Sequence, residues 1–395
     1  MRVVFCGGGT GGHVYPALTV AQALREEMGG REGPATPRAG RSEGRRLQEP
    51  QDLAPLEMLY VGVRGKIDAE LVGREGIPFK AVSARPLRTG TLPGTAQGAL
   101  TLAAGTAEAL RILRRFRPEV VFATGGYGSV GVGFAARMLR QPLLLFLPDV
   151  EPGLAVKALA KVADRIAVTV EPALDAVQKE KAVVTGYPVR PQFFRVDRDS
   201  ARAHFGLDPN LPALLVSGAS TGANRLNRAI AAFAVEFLRE GQLVHLCGRA
   251  DEAWLQDERE RLAPELRGRW RLPAYLHDDM AQAMAACDLA VMRSGASTLG
   301  ELPATRLPAV LVPGEYEGWD QSPNARYLES EGAAVMLPQA RLDTGLGPMV
   351  MSLLRDTVRL ERMRQSLAGL AKPEAARTLA RLVIEMAGVR EAVPA

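Results

Sequence analysis

Short, almost wholly apolar runs alternate along this chain with longer stretches in which apolar residues return every three or four positions. Uninterrupted apolar runs bounded by Gly and Pro predict strands buried on both faces, and the periodic stretches predict the helices that cover them. In the first half the strands read as Val3 to Cys6, Met58 to Val61, Val120 to Thr124, Leu143 to Leu147, Arg165 to Val170 and Ala182 to Thr185, with helical patterns such as Pro16 to Glu27 between most of them. After a break at Pro188 to Pro191 a second set follows at Ala213 to Ser217, Leu243 to Cys247, Leu289 to Met292, Ala309 to Val312 and Ala333 to Leu337. This alternation predicts an α/β protein of two doubly wound, Rossmann-like parallel-sheet domains, residues 1–190 and 191–370. Ala376, Leu379, Ala380, Leu382, Val383 and Met386 then share one helical face, so residues 371–395 are expected to close the chain with an amphipathic helix packed back on the first domain. Residues 29–55, rich in Gly, Pro, Arg and Glu and without an apolar period, are expected to be a disordered insertion.

Length and composition agree with that outline. A chain of 395 residues exceeds the size at which single cores stop growing, and 47% hydrophobic with 24% charged residues is ordinary for a globular α/β protein. Cys6, Cys247 and Cys287 lie far apart in apolar runs with no metal-ligand spacing, which predicts reduced thiols and no disulfide. The net charge of +5 and a pI of 9.2 fit phosphate-bearing substrates, an anionic lipid surface, or simply a mildly basic solvated surface. Nucleic acid is not an expected partner, because the Lys and Arg are dispersed and no basic strand carries aromatic residues to stack bases. Met1 leads straight into an apolar strand without the pattern of a signal peptide, and no apolar run approaches the ~20 residues that span a bilayer. The expected location is therefore cytoplasmic, with any membrane contact peripheral.

Candidate chemistry gathers at Gly-rich turns placed after strands. Gly7-Gly8-Gly9-Thr10-Gly11-Gly12-His13 follows the first strand and leads into a helix. Such a turn lets backbone N–H groups and the helix N-terminus meet an anion, so a diphosphate is its natural guest; a merely tight turn is the plainer reading. Gly7, Gly9 and Gly12 also satisfy G-x-G-x-x-G, the mark of a dinucleotide site, but Leu59-Tyr60-Val61-Gly62-Val63 supplies no acidic residue for the ribose. His13, where turn meets helix, suits either a general base or a cap. Thr124-Gly125-Gly126-Tyr127-Gly128-Ser129 repeats the arrangement after another strand, as a second phosphate-binding turn or as close backbone packing.

The second half carries the same scheme with side-chain hydroxyls. Gly218-Ala219-Ser220-Thr221-Gly222-Ala223 follows its first strand, and the stretch from Phe5 to His13 and that from Val216 to Ala223 form a weak internal echo. Arg293-Ser294-Gly295-Ala296-Ser297-Thr298-Leu299-Gly300-Glu301 follows another strand and ends on an acid. Glu301 suits ribose hydroxyls, and it equally suits pairing with a helix dipole, worth about 0.3 to 1 kcal/mol. The D-x-D triplet Asp197-Arg198-Asp199 lacks a glycine-rich or apolar frame and reads as solvated surface rather than a metal site.

Taken in order, Gly8-Gly9-Thr10-Gly11-Gly12-His13, Thr124-Gly125-Gly126-Tyr127, Gly186-Tyr187-Pro188-Val189-Arg190, Ser220-Thr221-Gly222-Ala223, Asp278-Asp279-Met280, Arg293-Ser294-Gly295-Ala296 and Gln321 with Asn324 resemble the motifs of the MurG family. The resemblance spans nearly the whole chain. It implies a GT-B fold, with two Rossmann-like domains facing across a cleft, and an inverting, metal-independent transfer of N-acetylglucosamine from UDP-N-acetylglucosamine to the muramyl sugar of lipid I. It implies a lipid-diphosphate acceptor on the first domain, with Gly9, Gly125, Gly126 and Tyr127 at its diphosphate, and His13 as the base. Thr10, Gly11 and Gly12 would line the cleft on the donor side. Arg190, Ser220, Thr221 and Gly222 would serve the donor's base and phosphates, and His277 would offer backbone to the uracil. Ala296, Ser297, Thr298, Leu299 and Gly300 would close over the donor, Glu301 would hold the ribose, and Gln321 with Asn324 would read sugar hydroxyls.

One motif departs. The family usually has His-Glu-Gln-Asn before a Pro-Gly pair, whereas this chain has Phe146-Leu147-Pro148-Asp149 before Pro152-Gly153. Asp149 replaces a cleft amide with a carboxylate, which removes two N–H donors and adds charge near the phosphates. The alternatives are therefore a related GT-B transferase with another donor or acceptor, or a nucleotide-sugar-binding relative without turnover. Ala99 to Ala104 beside Arg111, Arg114, Arg115 and Arg117 resembles the apolar-basic patch with which the family meets anionic membrane; a buried helix with a solvated face is the plainer reading.

Overall fold

A computed structural model of the chain describes residues 1–8, 11–29, 55–85, 92–218, 224–276, 278–316 and 319–388. The insertion expected at 29–55 lies outside them apart from its two end residues, as do Gly9, Thr10, Ser220, Thr221, Gly222 and His277. The first unit contains β1 (Arg2–Cys6), α1 (Gly11–Gly29), β2 (Glu57–Val63), α2 (Asp68–Arg74), β3 (Phe79–Val82), α3 (Leu92–Phe116), β4 (Val120–Ala123), α4 (Tyr127–Met138), β5 (Leu143–Leu147), α5 (Leu154–Ala160), β6 (Arg165–Val168) and β7 (Ala182–Val184). The second opens with α6 (Arg198–His204) and continues through β8 (Ala213–Ser217), α7 (Asn224–Glu240), β9 (Gln242–Leu246), α8 (Glu252–Glu260), α9 (Pro264–Arg267), β10 (Trp270–Arg271), α10 (Met280–Ala286), β11 (Leu289–Met292) and α11 (Thr298–Thr305). It is completed by β12 (Ala309–Leu311), the small hairpin β13 (Glu315–Tyr316) and β14 (Trp319–Asp320), α12 (Ser322–Ser330), β15 (Ala334–Met336), α13 (Leu342–Arg355) and α14 (Thr357–Leu370). The last helix, α15 (Ala375–Met386), returns to the first unit.

The seven-stranded sheet runs β3-β2-β1-β4-β5-β6-β7 and the six-stranded one β10-β9-β8-β11-β12-β15, and every pairing in both is parallel. The doubly wound expectation therefore holds for both halves. The chain order reverses between β1 and β4 in the first sheet and between β8 and β11 in the second, the places where open α/β sheets carry ligands. Two strands of these two sheets went unread in the sequence: β3 and the two-residue β10. Both lie at the outer edge of their sheet, where one side needs no partner and strands run short and half polar.

Even within all-apolar strands the pleat sorts residues between two layers. Val3 and Phe5 pack on the α1 and α15 side of β1, while Val4 and Cys6 join the layer under α3 and α4. In β8, Ala213 and Leu215 face one way and Leu214 and Val216 the other, toward α7 and α13. The first of these layers is continuous across both halves, joining Phe5 and Val20 to Leu299, Leu302 and Ala380. The two domains thus share a core layer.

The chain crosses between the domains twice. The outward crossing, residues 185–191, leaves β7, and the return crossing, residues 371–374, leads into α15. Gly186 has φ +85° and lies so close to Lys372 that an added Cβ would stand 2.5 Å from the lysine Cβ, so the crossings pack directly on each other. Helix α15 lies along α1, where Arg377 and Arg381 pair with Glu27 at 3.2 and 3.4 Å.

Candidate active site in the interdomain cleft

His13 stands in the first turn of α1, half-buried, at the reversal point of the first sheet. Its Nδ1 is 3.0 Å from the carbonyl oxygen of Thr124 at the end of β4. A carbonyl can only accept, so Nδ1 carries a proton, and in the neutral ring it is Nε2 that keeps the lone pair. The Thr124 hydroxyl in turn donates to the His13 carbonyl at 2.5 Å, which locks the helix start to the strand end. Thr124 is fully buried and was not singled out by the sequence beyond its motif; only folding brings it to His13.

Gly125 and Gly126 wrap the imidazole. Gly126 has φ +76°, and a Cβ there would lie 2.5 Å from the Gly8 carbonyl oxygen and 3.1 Å from the His13 Cδ2, so no larger residue fits. Ser129 Oγ lies 2.8 Å from both the Gly125 and Gly126 carbonyls and fixes the turn into α4. Tyr127 follows as the first, half-buried residue of that helix, and its hydroxyl is held neutral by burial and by the nearby Asp68 carboxylate. Gly12 and the backbone of Gly11 begin α1 beside this cluster.

Across the cleft the walls are side chains. Arg190, at the end of the outward crossing, lays its guanidinium 4.8 Å above the ring of Tyr15 and 5.1 Å from that of Phe193, and reaches Asp278 at 4.0 Å. Tyr15 also shares a hydrogen bond with Tyr275, and burial raises its hydroxyl pKa. Glu301, in the first turn of α11, has a carboxyl raised by burial and partly restored by the Arg190 charge and a hydrogen bond from Ser297. Ala296 and Ser297 are half-buried in the turn after β11, Thr298 is buried with its hydroxyl donating to Gly295 O at 2.7 Å, and Leu299 is buried in the shared core. Leu299 and Gly300 also line a cavity of about 560 Å³ with Tyr187, Val189, Tyr327 and Lys372, on the side of the interdomain crossings rather than beside His13.

Among the described residues, hydrogen bonds cross the cleft from Tyr15 to Tyr275 and in a tighter group around Asn324, while Tyr187 Oη, on the outward crossing, donates to the Gly12 carbonyl at 3.4 Å. Asn324 Nδ2 donates to Asp149 Oδ1 at 2.8 Å and to the Ser294 carbonyl at 3.0 Å, while its Oδ1 accepts from the Val150 N–H at 2.9 Å. Gln321 is buried beside it, its Oε1 accepting from Gly314 N at 2.8 Å and its carbonyl accepting from Ser294 Oγ at 3.0 Å. Burial raises the Asp149 carboxyl, against the pull of the Asn324 hydrogen bond and of His13 nearby. The sequence placed Asp149 near phosphates; folding gives it a partner on the opposite domain. Asp197 of the D-x-D triplet caps α6 by accepting from Ser200 N at 2.9 Å, which accounts for it as a helix start.

The chain matches the Glycosyltransferase family 28 N-terminal domain over residues 52–168 and the Glycosyltransferase family 28 C-terminal domain over residues 213–379. A UDP-N-acetylglucosamine--N-acetylmuramyl-(pentapeptide) pyrophosphoryl-undecaprenol N-acetylglucosamine transferase of Roseiflexus sp. (strain RS-1) is 40% identical, over 97% of this chain and 94% of the relative. The enzyme of that name from Desulforudis audaxviator (strain MP104C) is 35% identical over 98% of this chain and 99% of its own. The chain belongs to the MurG family of glycosyltransferases. The crystal structure of Acinetobacter baumannii MurG superposes with a TM-score of 0.68 at 20% identity, covering 97% of this chain and 99% of that one, and so places the MurG-family chain in the GT-B fold. A UDP-GlcNAc 2-epimerase from Neisseria meningitidis, solved with UDP-GlcNAc bound, shares the architecture at a TM-score of 0.66 and 11% identity, over 98% of this chain and all of that one. In MurG-family terms, the expected acceptor turns flank the reversal point of the first sheet, and the run from Arg293 to Glu301 flanks that of the second.

Proposed function

We infer that this chain transfers N-acetylglucosamine from UDP-N-acetylglucosamine to the muramyl sugar of lipid I, with inversion at the anomeric carbon, giving lipid II and UDP. Family membership over nearly the full length supports the reaction. The observation that carries the mechanism is the His13 ring, held through Nδ1–H by the Thr124 carbonyl so that Nε2 is the free base. The acceptor hydroxyl gives its proton to Nε2 as its oxygen bonds to the anomeric carbon, and the bond from that carbon to the UDP oxygen breaks in the same displacement.

In this reading the acceptor diphosphate rests on the turns of Gly9 and of Gly125, Gly126 and Tyr127. Arg190, the 220–222 turn and the 296–300 run hold the departing UDP, with Glu301 on the ribose. Backbone donors and helix N-termini neutralise the leaving diphosphate, so the transfer needs no metal ion. Gln321, with its Nε2 beside Gly295, contributes to the sugar pocket.

The protein works at the cytoplasmic face of the membrane as a peripheral enzyme. Helices α3, α4 and α5 pack in series on the first sheet and carry Leu100, Met138 and Leu154, three of the five large apolar side chains exposed among the described residues. Arg111, Arg114, Arg115, Arg117 and Arg140 are exposed on the same helices or at their ends, as suits an anionic lipid surface. No helix among the described residues is long and apolar enough to cross a membrane.

The test is transfer of radiolabelled N-acetylglucosamine from UDP-N-acetylglucosamine to a lipid I analogue. Labelled lipid II analogue is the expected product. Binding of the donor without turnover, or transfer only to unrelated lipids, would overturn the reading.

A further inference from the structure

The Asn324 carboxamide is saturated in an unusual way for a residue on a cleft wall. Both of its N–H bonds and one lone pair are used, by Asp149, Ser294 and the Val150 backbone, and the residue is only 2% exposed. Two of the three partners belong to the opposite domain. They lie just past β5 of the first sheet, whereas Asn324 and Ser294 belong to α12 and the turn after β11 of the second. Asp149 and Val150 therefore bind one amide from two sides, in the manner of a backbone pair.

The arrangement is directional, and a carboxylate at 149 completes it. The Val150 N–H can only donate and the Ser294 carbonyl can only accept, so the amide must turn its oxygen to Val150 and its nitrogen to Ser294, and its second N–H then meets a carboxylate that, when ionised, can only accept. A hydrogen bond to a charged oxygen is also roughly twice as strong as its neutral counterpart.

We propose that Asp149 is a positioning residue that acts through Asn324: together with Val150 it latches the two domains, closing the cleft before either substrate binds. The latch sets the distance between the His13 wall and the Arg190–Glu301 wall. Substrates then meet a preformed site, and less of their binding energy goes into bringing the domains together. The proposal rests on the transfer reaction for its kinetic arm alone; the interdomain distance can be read without any substrate.

The test uses the full chain with spin labels on Lys157→Cys in α5 and Arg326→Cys in α12, both exposed positions; the native thiols at Cys6, Cys247 and Cys287 are buried. Pulsed electron resonance without ligands should give one short distance. Asp149→Ala and Asn324→Ala should each lengthen or broaden it, and the double variant should do no more than either alone, since the two residues serve one contact. Asp149→Asn, which can still accept through its carbonyl oxygen, should restore the parent distance. In turnover assays Asp149→Ala should lower kcat/KM for both substrates by about tenfold, as expected when a buried hydrogen bond is lost. Parent-like distances in both alanine variants, or additive effects in the double variant, would overturn the latch while leaving the transfer reaction intact. A loss of kcat/KM for the donor alone with an unchanged distance would make Asp149 a sugar contact instead.

Discussion

The two walls of the cleft solve the same task with different materials. On the first domain, the turns after β1 and β4 come so close that Gly126 and the His13 ring leave no room for a Cβ, and the site is shaped by backbone. On the second, the turn after β11 is shaped by side chains: Ser297 and Arg190 steady Glu301, and Thr298 closes on Gly295. A wall made of backbone fixes where atoms stand and tolerates almost no substitution. One made of side chains fixes charge and hydrogen bonding and can be tuned, so damage to the two walls should show in different kinetic constants.

The sharpest separation comes from His13→Ala. It should lower kcat by about 10² to 10⁴ while leaving the calorimetric Kd for UDP-N-acetylglucosamine within about twofold, because a base acts in the transition state only. Normal turnover in that variant would remove the base from the first wall. Gly126→Ala comes next: with φ +76° and the Gly8 carbonyl in the way, the turn must move by an ångström or so, and a loss of about a hundredfold in kcat/KM for the lipid acceptor is expected. If the donor KM suffers instead, the division of labour between the walls is wrong.

Glu301→Gln should raise the donor KM by about tenfold with a smaller change in kcat, since a charged acceptor for hydroxyls becomes a neutral one. The smallest effect concerns stability. Burial raises the Glu301 carboxyl in the folded chain, so folding is favoured by its protonation and the ionised group opposes folding once the pH is above that raised value. Glu301→Gln should therefore melt slightly higher than the parent at pH 7, by no more than about 2 °C, with the gap closing as the pH falls toward the acid range. A variant that melts lower at neutral pH would mean that the Arg190 charge outweighs burial. The same experiment thus tests whether the second wall gives up stability for function.

How much of this was legible beforehand follows from the range of the interactions. Strand, Gly-rich turn and helix start are local, and the turns after β1, β4 and β11 were all readable from residues a few positions apart. The tautomer of His13 was not, because its partner Thr124 is 111 positions away along the chain. Nor was the engagement of Asp149, since its amide partner lies 175 positions on and in the other domain; the sequence offered only the added charge. Tyr15 went unmarked, and Tyr187 was named only within its motif, for a related reason. Only the assembled cleft brings Tyr15 under Arg190 and the Tyr187 hydroxyl to Gly12.

The outward and return segments that tie the two halves together touch at Gly186 and Lys372. Bodies joined by two tethers that meet at one spot cannot slide past each other or drift apart; their easiest relative movement is a swing with that spot as fulcrum. A side chain placed at 186 would wedge the fulcrum itself, and a small push there would be magnified at the far lips of the gap.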